Sequence, residues 1–226
     1  MLIFAIDTSG TSGGITLAEA SEGTFRAIES TPIAGGTFSA QLIPTFSALL
    51  SKHGFTAKDL GGFAAASGPG SFTGLRVGLS AIKGLAEVLH KPVAVISVLE
   101  ALAASSGRNG RVAAALDARR KEAFLGFYNV AHGTAAIDRE ELAAQADLAE
   151  KLRSAGYEQL ITSDPALAEL ASASSIEVQL AERPGSEAIA RLGARKLFAG
   201  ETIPVEALDA NYLRRSHAEI FFKGPR

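Results

Sequence analysis

The sequence predicts an α/β protein built from two related halves, and three observations carry the prediction. Short runs of apolar and β-branched residues, bounded by Gly, Ser and Thr, alternate with longer helical patterns. A dense Gly/Pro loop, Ser67-Gly68-Pro69-Gly70-Ser71-Phe72-Thr73-Gly74, runs straight into a long apolar helix. A pattern of apolar strand, Asp, polar turn and apolar strand occupies residues 3–17 around Asp7 and returns at residues 112–128 around Asp117. The repeat suggests two lobes of common ancestry, residues 1–106 and 107–226, joined at the polar link Ser105-Ser106-Gly107-Arg108-Asn109-Gly110.

In chain order, residues 2–6, 13–18 and 24–29 read as strands, each apolar or β-branched between turn formers. A helix follows over residues 39–52, with Leu42, Ile43, Phe46, Leu49 and Leu50 as a broad apolar face and Pro44 tolerable near its first turn. Residues 62–67 form a strand, 74–90 the long helix, 93–97 a strand and 98–105 a short helix. Glycines at 68, 70, 74 and 78 permit close approaches that a Cβ would block, and Ser71 or Thr73 is placed to cap the helix. Residues 146–200 alternate Ala-rich helical patterns with short strands such as 159–162, most simply read as scaffold.

Composition excludes several classes of function. At 226 residues, 47% hydrophobic and 20% charged, the chain can bury a sizeable core and is globular rather than disordered. With no cysteine there is no disulfide framework, thiolate nucleophile or zinc–thiolate site. A net charge of −2 argues against a stand-alone nucleic-acid binder with a large basic surface. Since the N-terminus enters a strand without a basic flank or long apolar segment, no signal peptide or membrane span is expected, and a cytoplasmic location is the default.

The Gly-rich loop invites two nucleotide motifs and satisfies neither. After Gly68 and Gly70 a dinucleotide fingerprint needs glycine where Thr73 stands, and a P-loop needs a closing Gly-Lys-Ser/Thr. What the string Gly-Pro-Gly-Ser-Phe-Thr-Gly-Leu-Arg-Val-Gly-Leu does resemble, with Lys83-Gly84-Leu85-Ala86 after it, is the signature of the bacterial TsaB family, formerly YeaZ. Members of that family are subunits of the tRNA threonylcarbamoyladenosine machinery. Further similarity lies in Phe4-Ala5-Ile6-Asp7-Thr8-Ser9, Pro92-Val93, Ser97-Val98-Leu99-Glu100-Ala101-Leu102, Leu116-Asp117-Ala118-Arg119-Arg120-Lys121-Glu122 and Tyr212-Leu213-Arg214. Residues 184–198 also resemble a family helix, although the similarity is strongest over residues 1–130.

The resemblance implies a two-lobed actin-like ATPase (ASKHA) fold, with mixed sheets and flanking helices. In such ATPases the first hairpin turn contacts phosphate and carboxylates at strand ends hold magnesium through water. Asp7, Thr8 and Ser9 take the first position and Asp117 the second, as a vestigial nucleotide-binding site. Read from the residues alone, Asp before Thr-Ser at a strand end also simply closes a turn.

The catalytic relative of the family, TsaD, carries paired metal-binding histidines one helical turn apart. Here His53, His90, His132 and His217 are scattered as surface or loop-end residues, and no Gly-x-Ser-x-Gly elbow is present. The expectation is therefore no catalytic residue and no metal in this chain. The resemblance implies a non-catalytic subunit of the t6A37 synthesis complex that binds and activates TsaD for threonylcarbamoyl transfer to N6 of adenosine 37. It also implies the ATPase TsaE as a second partner, a homodimer when alone, tRNA contacted only through the complex, no tightly bound cofactor, and ATP or ADP as candidate ligands at the subunit junction. Two readings from other classes stay open: an independent small ATPase or kinase using Asp7 and Asp117, and a self-associating structural module.

Helix 74–90 carries the argument for a partner. Its polar positions Arg76, Ser80, Lys83 and Glu87 make one narrow stripe, and everything else before the terminal His90 is apolar or glycine. So apolar a helix needs burial on a second side, and Gly74, Gly78 and Ala81 would admit another helix. Coverage by the chain's own sheet and neighbouring helix explains the pattern equally well. The family uses this helix pair to build a bundle with TsaD, which nominates Leu42, Phe46, Gly74, Leu75, Gly78, Leu79, Ile82 and Lys83 as interface. One departure stands out: Phe38-Ser39-Ala40-Gln41 replaces the His-Ser-Glu or His-Ser-Gln of the relatives. Arg119, Arg120, Lys121 and the pair Arg214-Arg215 read as solvated basic clusters.

Overall fold

The computed structural model describes residues 1–211 and 213; the sequence features at Tyr212, Arg214, Arg215 and His217 lie outside the described residues. The apolar run Leu2-Ile3-Phe4-Ala5-Ile6 makes β1 (Leu2–Asp7) a strand buried on both faces, and it takes the centre of the first sheet. β2 (Ser12–Ser21) and β3 (Thr24–Ala34) form an antiparallel meander on one side of it. β4 (Leu60–Gly68) and β5 (Val93–Ser97) add in parallel on the other, giving the order β3-β2-β1-β4-β5.

The second half repeats this topology. β6 (Gly110–Arg119), β7 (Glu122–Ala131) and β8 (Thr134–Ala144) form the meander, and β9 (Gln159–Thr162) and β10 (Glu177–Leu180) add in parallel, in the order β8-β7-β6-β9-β10. The sequence repeat around Asp7 and Asp117 is thus the visible remnant of two sheets with identical pairing. β8 escapes the sequence reading because it is an edge strand: its middle, Ile137-Asp138-Arg139, is exposed, and charge there blunts an open edge.

Three hydrophobic layers separate the elements. Outside the first sheet, α1 (Phe38–Lys52) and α2 (Phe72–Leu89) bury Phe46, Leu79 and Ile82 against Phe4 and Phe63. The Phe4 and Phe46 rings meet edge to face at 4.7 Å. Outside the second sheet, α4 (Leu148–Ser154) and α5 (Pro165–Ser172) cover Leu125 and Phe127. Between the sheets lie α3 (Val98–Ala104) and α6 (Ser186–Ala199), and here each helix crosses over. α3 follows β5 yet packs on β6, β7 and β8, while α6 follows β10 yet packs on β1, β2, β4 and β5. Alanine-rich inner faces make the crossing possible: a Cβ on Gly193 would clash with the Ala64 side chain. The sheets part at the 105–110 link, but the middle layer is shared by both halves.

Pro44 sits in the second turn of α1, not near its first, because the helix begins at Phe38. Phe38 itself is turned inward at 5% exposure, with its ring against Gly13, so the departure at Phe38-Ser39-Ala40-Gln41 replaces a polar start with an apolar plug.

A polar junction crosses the middle layer. Lys196 on α6 reaches Glu100 on α3 at 2.7 Å and the Val95 carbonyl at 3.1 Å. Nearby, Glu140 accepts hydrogen bonds from Ser97, Tyr128 and Asn211, tying both sheets to the segment after α6. Burial pushes the Glu100 carboxyl above its usual range, against the pull of Lys196. A raised folded-state pKa favours folding below the unfolded pKa and loses that contribution as pH rises through the folded value. Lys196→Met is therefore expected to destabilise the chain by about 2 kcal/mol at pH 7, less than a fully buried broken pair because Lys196 is partly exposed. The deficit should shrink as pH falls and Glu100 protonates. Urea melts at pH 7 and pH 5 check this, and Glu100→Gln added to Lys196→Met should recover most of the loss.

Candidate functional site

A cleft of about 1480 Å³ opens between the halves, with Ser9, Gly70 and Ser71 on one wall and Asp117, Arg119 and Arg183 on the other. The first wall is built by the glycine string. α2 starts at its N-cap Ser71, whose Oγ accepts from the Gly74 N–H at 3.2 Å, as its position before the helix predicts. Gly70, Gly74 and Gly78 then stand four residues apart on one face of the loop and helix. A Cβ on Gly70 would clash with the Ser9 carbonyl, one on Gly74 with the Thr8 carbonyl, and one on Gly78 with the Thr8 hydroxyl. The glycine face exists to seat the Asp7-Thr8-Ser9 turn, and the Ser71 N–H bonds the Ser9 carbonyl at 2.7 Å to fix the seat.

Asp7 lies beneath the cleft surface at 4% exposure and spends Oδ1 on the Ser9 N–H at 2.8 Å, the turn-closing role. Thr8 and Ser9 are buried with it, and the Ser9 hydroxyl accepts from Arg183 at 3.1 Å. Asp117 is exposed at the rim, where Oδ1 accepts from the Arg119 N–H at 2.9 Å and from Gln145 at 3.0 Å. Ser9 and Asp117 line one cleft, but Asp7 does not reach its surface. This donor set fits a two-carboxylate magnesium site poorly. Among the described residues no group of three His, Asp or Glu side chains could hold a metal ion. His53 pairs with Glu29 at 2.8 Å; Lys52 first, and His53 with it, holds the Glu29 carboxyl below its usual range. His90 ends α2 and His132 sits in the β7–β8 turn, both with positive φ.

The nominated interface residues fall on two sides. Leu42, Phe46, Leu75, Leu79 and Ile82 are at most 5% exposed and belong to the chain's own core. Gly74 and Gly78 admit Thr8, not a partner helix. The second side that so apolar a helix demands is supplied internally by residues 203–210, whose Ile203, Val205 and Leu208 pack in the α2 layer. That long-range return carries no local signal in the sequence. Lys83 alone of the nominated set is exposed, and its Nζ reaches the Glu206 carbonyl at 3.2 Å. The exposed stripe of α2 is Arg76, Ser80, Lys83, Gly84, Glu87 and Val88.

The family model described as TsaD, tRNA N6-adenosine threonylcarbamoyltransferase, matches residues 32–207. The proteins named tRNA threonylcarbamoyladenosine biosynthesis protein TsaB are similar as well. That of Bacillus subtilis is 37% identical over 59% of this chain and 57% of its own length, and that of Escherichia coli is 29% identical over 79% and 81%. The chain belongs to the TsaB/YeaZ family. The solved structure of YeaZ from Pseudomonas aeruginosa has the same fold, with a TM-score of 0.75 and 24% identity across 93% of this chain and 100% of that one. Two mixed five-stranded sheets with flanking helices are accordingly the actin-like architecture of the TsaB/YeaZ family. On this TsaB/YeaZ frame the cleft brings in Asp164 and Arg183, and Gln145 holds the Asp117 carboxylate at its rim; sequence reasoning missed all three. Asp164 Oδ2 accepts from the Asp117 N–H at 2.7 Å, a pairing across 47 residues that no local pattern announces. Among the described residues no helix is long and apolar enough to cross a membrane.

Proposed function

We propose that this chain is a non-catalytic subunit of a tRNA t6A37-synthesising complex, in which it binds and activates a TsaD-type threonylcarbamoyltransferase. The observation that carries the reading is Gly84. A glycine inside a helix costs about 1 kcal/mol relative to alanine. Gly84 is exposed, and a Cβ added to it would meet nothing within 4 Å, so no contact of the chain itself requires it. It lies on the exposed stripe of α2 near Val88, which is 77% exposed, where a partner helix could approach closely. The partner-facing set in this reading is Ser80, Lys83, Gly84, Glu87 and Val88; the buried leucines behind it hold the helix in place.

Family membership supports the remainder: a cytoplasmic complex, a homodimer through the same face when TsaD is missing, TsaE as a further partner, tRNA reached through the complex, and ATP or ADP at the subunit junction. The test is titration calorimetry of the chain with TsaD from the same organism, with submicromolar affinity expected. A second reading, an independent small ATPase, draws on the cleft that brings Ser9 and Asp117 to one surface. The purified chain is expected to hydrolyse no ATP above background. Turnover by the isolated chain that is lost in Asp117→Asn would establish the second reading instead.

A further inference from the structure

We propose that the tip of the β6–β7 hairpin, Arg119-Arg120-Lys121, is a contact for the phosphate backbone of RNA; the inference rests on reading the chain as a tRNA-modification subunit. The three residues hold φ of +62°, +56° and +61° in succession. In that left-handed region the Cβ of an L-residue crowds the following carbonyl, which is why Asn-Gly dominates two-residue hairpin turns. Pairing of Arg119 with Glu122 leaves Arg120-Lys121 as such a turn. The chain's other two-residue hairpin turns obey the rule: Glu22-Gly23 joins β2 to β3 and His132-Gly133 joins β7 to β8, with Gly23 at φ +79° and Gly133 at +70°. Among the described hairpin turns, only the basic tip puts long cationic side chains where glycine belongs. A turn that needs glycine for its backbone and lacks it is using its side chains.

The charges are also available. Arg119, Arg120 and Lys121 are all exposed, and none forms an ion pair among the described residues. Asp117, at the foot of the tip, has Oδ1 occupied by the Arg119 N–H and Gln145. Gln145 also donates through its side chain to the Glu122 carbonyl at 3.2 Å and through its backbone to the Lys121 carbonyl at 2.9 Å, so the base of the tip is pinned by the residue that follows β8. A pinned turn loses little backbone freedom when it meets a partner, and the guanidinium fork matches phosphate oxygens. Arg119 and Arg120 border the cleft that also contains Arg183.

The variant Arg120→Asn with Lys121→Gly separates charge from backbone. It should melt about 2–4 °C higher, because the turn relaxes. tRNA binding by the complex with TsaD should weaken about tenfold at 0.15 M salt, and the dependence of log K on log salt should flatten by about two, one for each lost phosphate contact. The isolated chain, titrated with tRNA at low ionic strength, should show the same loss. Equal tRNA affinity and salt slope for parent and variant in both settings would overturn the inference. So would weaker TsaD binding with unchanged tRNA binding, since the tip would then be a protein contact. If no complex with TsaD forms, the partner reading fails by itself, and the isolated chain decides: loss of RNA binding in the variant upholds the tip, and no RNA binding by the parent refutes it.

Discussion

Gly78→Glu is expected to abolish the folded state, not to separate folded subunits. The Cβ would clash with the buried Thr8 hydroxyl beneath α2, and the carboxylate would be driven toward the buried Asp7-Thr8-Ser9 turn. Overpacking costs about 1–3 kcal/mol, and an uncompensated buried charge adds about 3–5. The sum approaches the whole stability of an ordinary domain. Loss of the cooperative thermal transition in circular dichroism is the expected result. A Gly78→Glu protein that melts like the parent would show that α2 does not rest on the Asp7-Thr8-Ser9 turn.

Gly84→Arg should do the opposite, leaving the fold intact and removing association. Replacing an exposed mid-helix glycine by arginine gains up to about 1 kcal/mol of helix propensity. At a helix–helix contact the same guanidinium would be buried without a partner, at about 3–5 kcal/mol, which is more than a hundredfold in affinity. The expected pair of results is an unchanged or higher melting temperature and calorimetric loss of TsaD binding, with the homodimer falling to monomer in sedimentation. Undiminished binding by a folded Gly84→Arg chain would remove the α2 stripe as the interface.

The contrast between Gly78 and Gly84 shows how far the sequence could be read. Both lie on one helix, yet the sequence nominated Gly78 for a close approach and passed over Gly84. Their difference is in what stands opposite: Thr8, from seventy residues earlier, for one, and open space for the other. The leucines beside them follow the same logic. Leu79 and Ile82 read as excess apolar surface, yet they pack with Phe4 and Phe63 of the chain's own sheet, in a layer completed by Ile203, Val205 and Leu208 from the far end of the chain.

Several elements were legible because their signals are local. β5 and β9 run as expected over residues 93–97 and 159–162, being short apolar runs between turn formers. Ser71 caps α2 because a hydroxyl three residues ahead of a free N–H needs no tertiary help. The duplicated strand–Asp–turn–strand pattern was legible for the same reason, and the matched sheets bear it out.

By itself, then, the sequence determined the α/β class, the repeated hairpins and the family signature, all of which depend on neighbours within a few residues. Tertiary structure alone decided which glycines face the chain and which face outward, that α3 and α6 exchange sheets, and that Asp7 lies below the cleft while Asp117 stands at its rim. Those outcomes depend on what packs opposite a residue from a distant part of the chain. Periodicity records that a position is apolar or small, but not what will cover it.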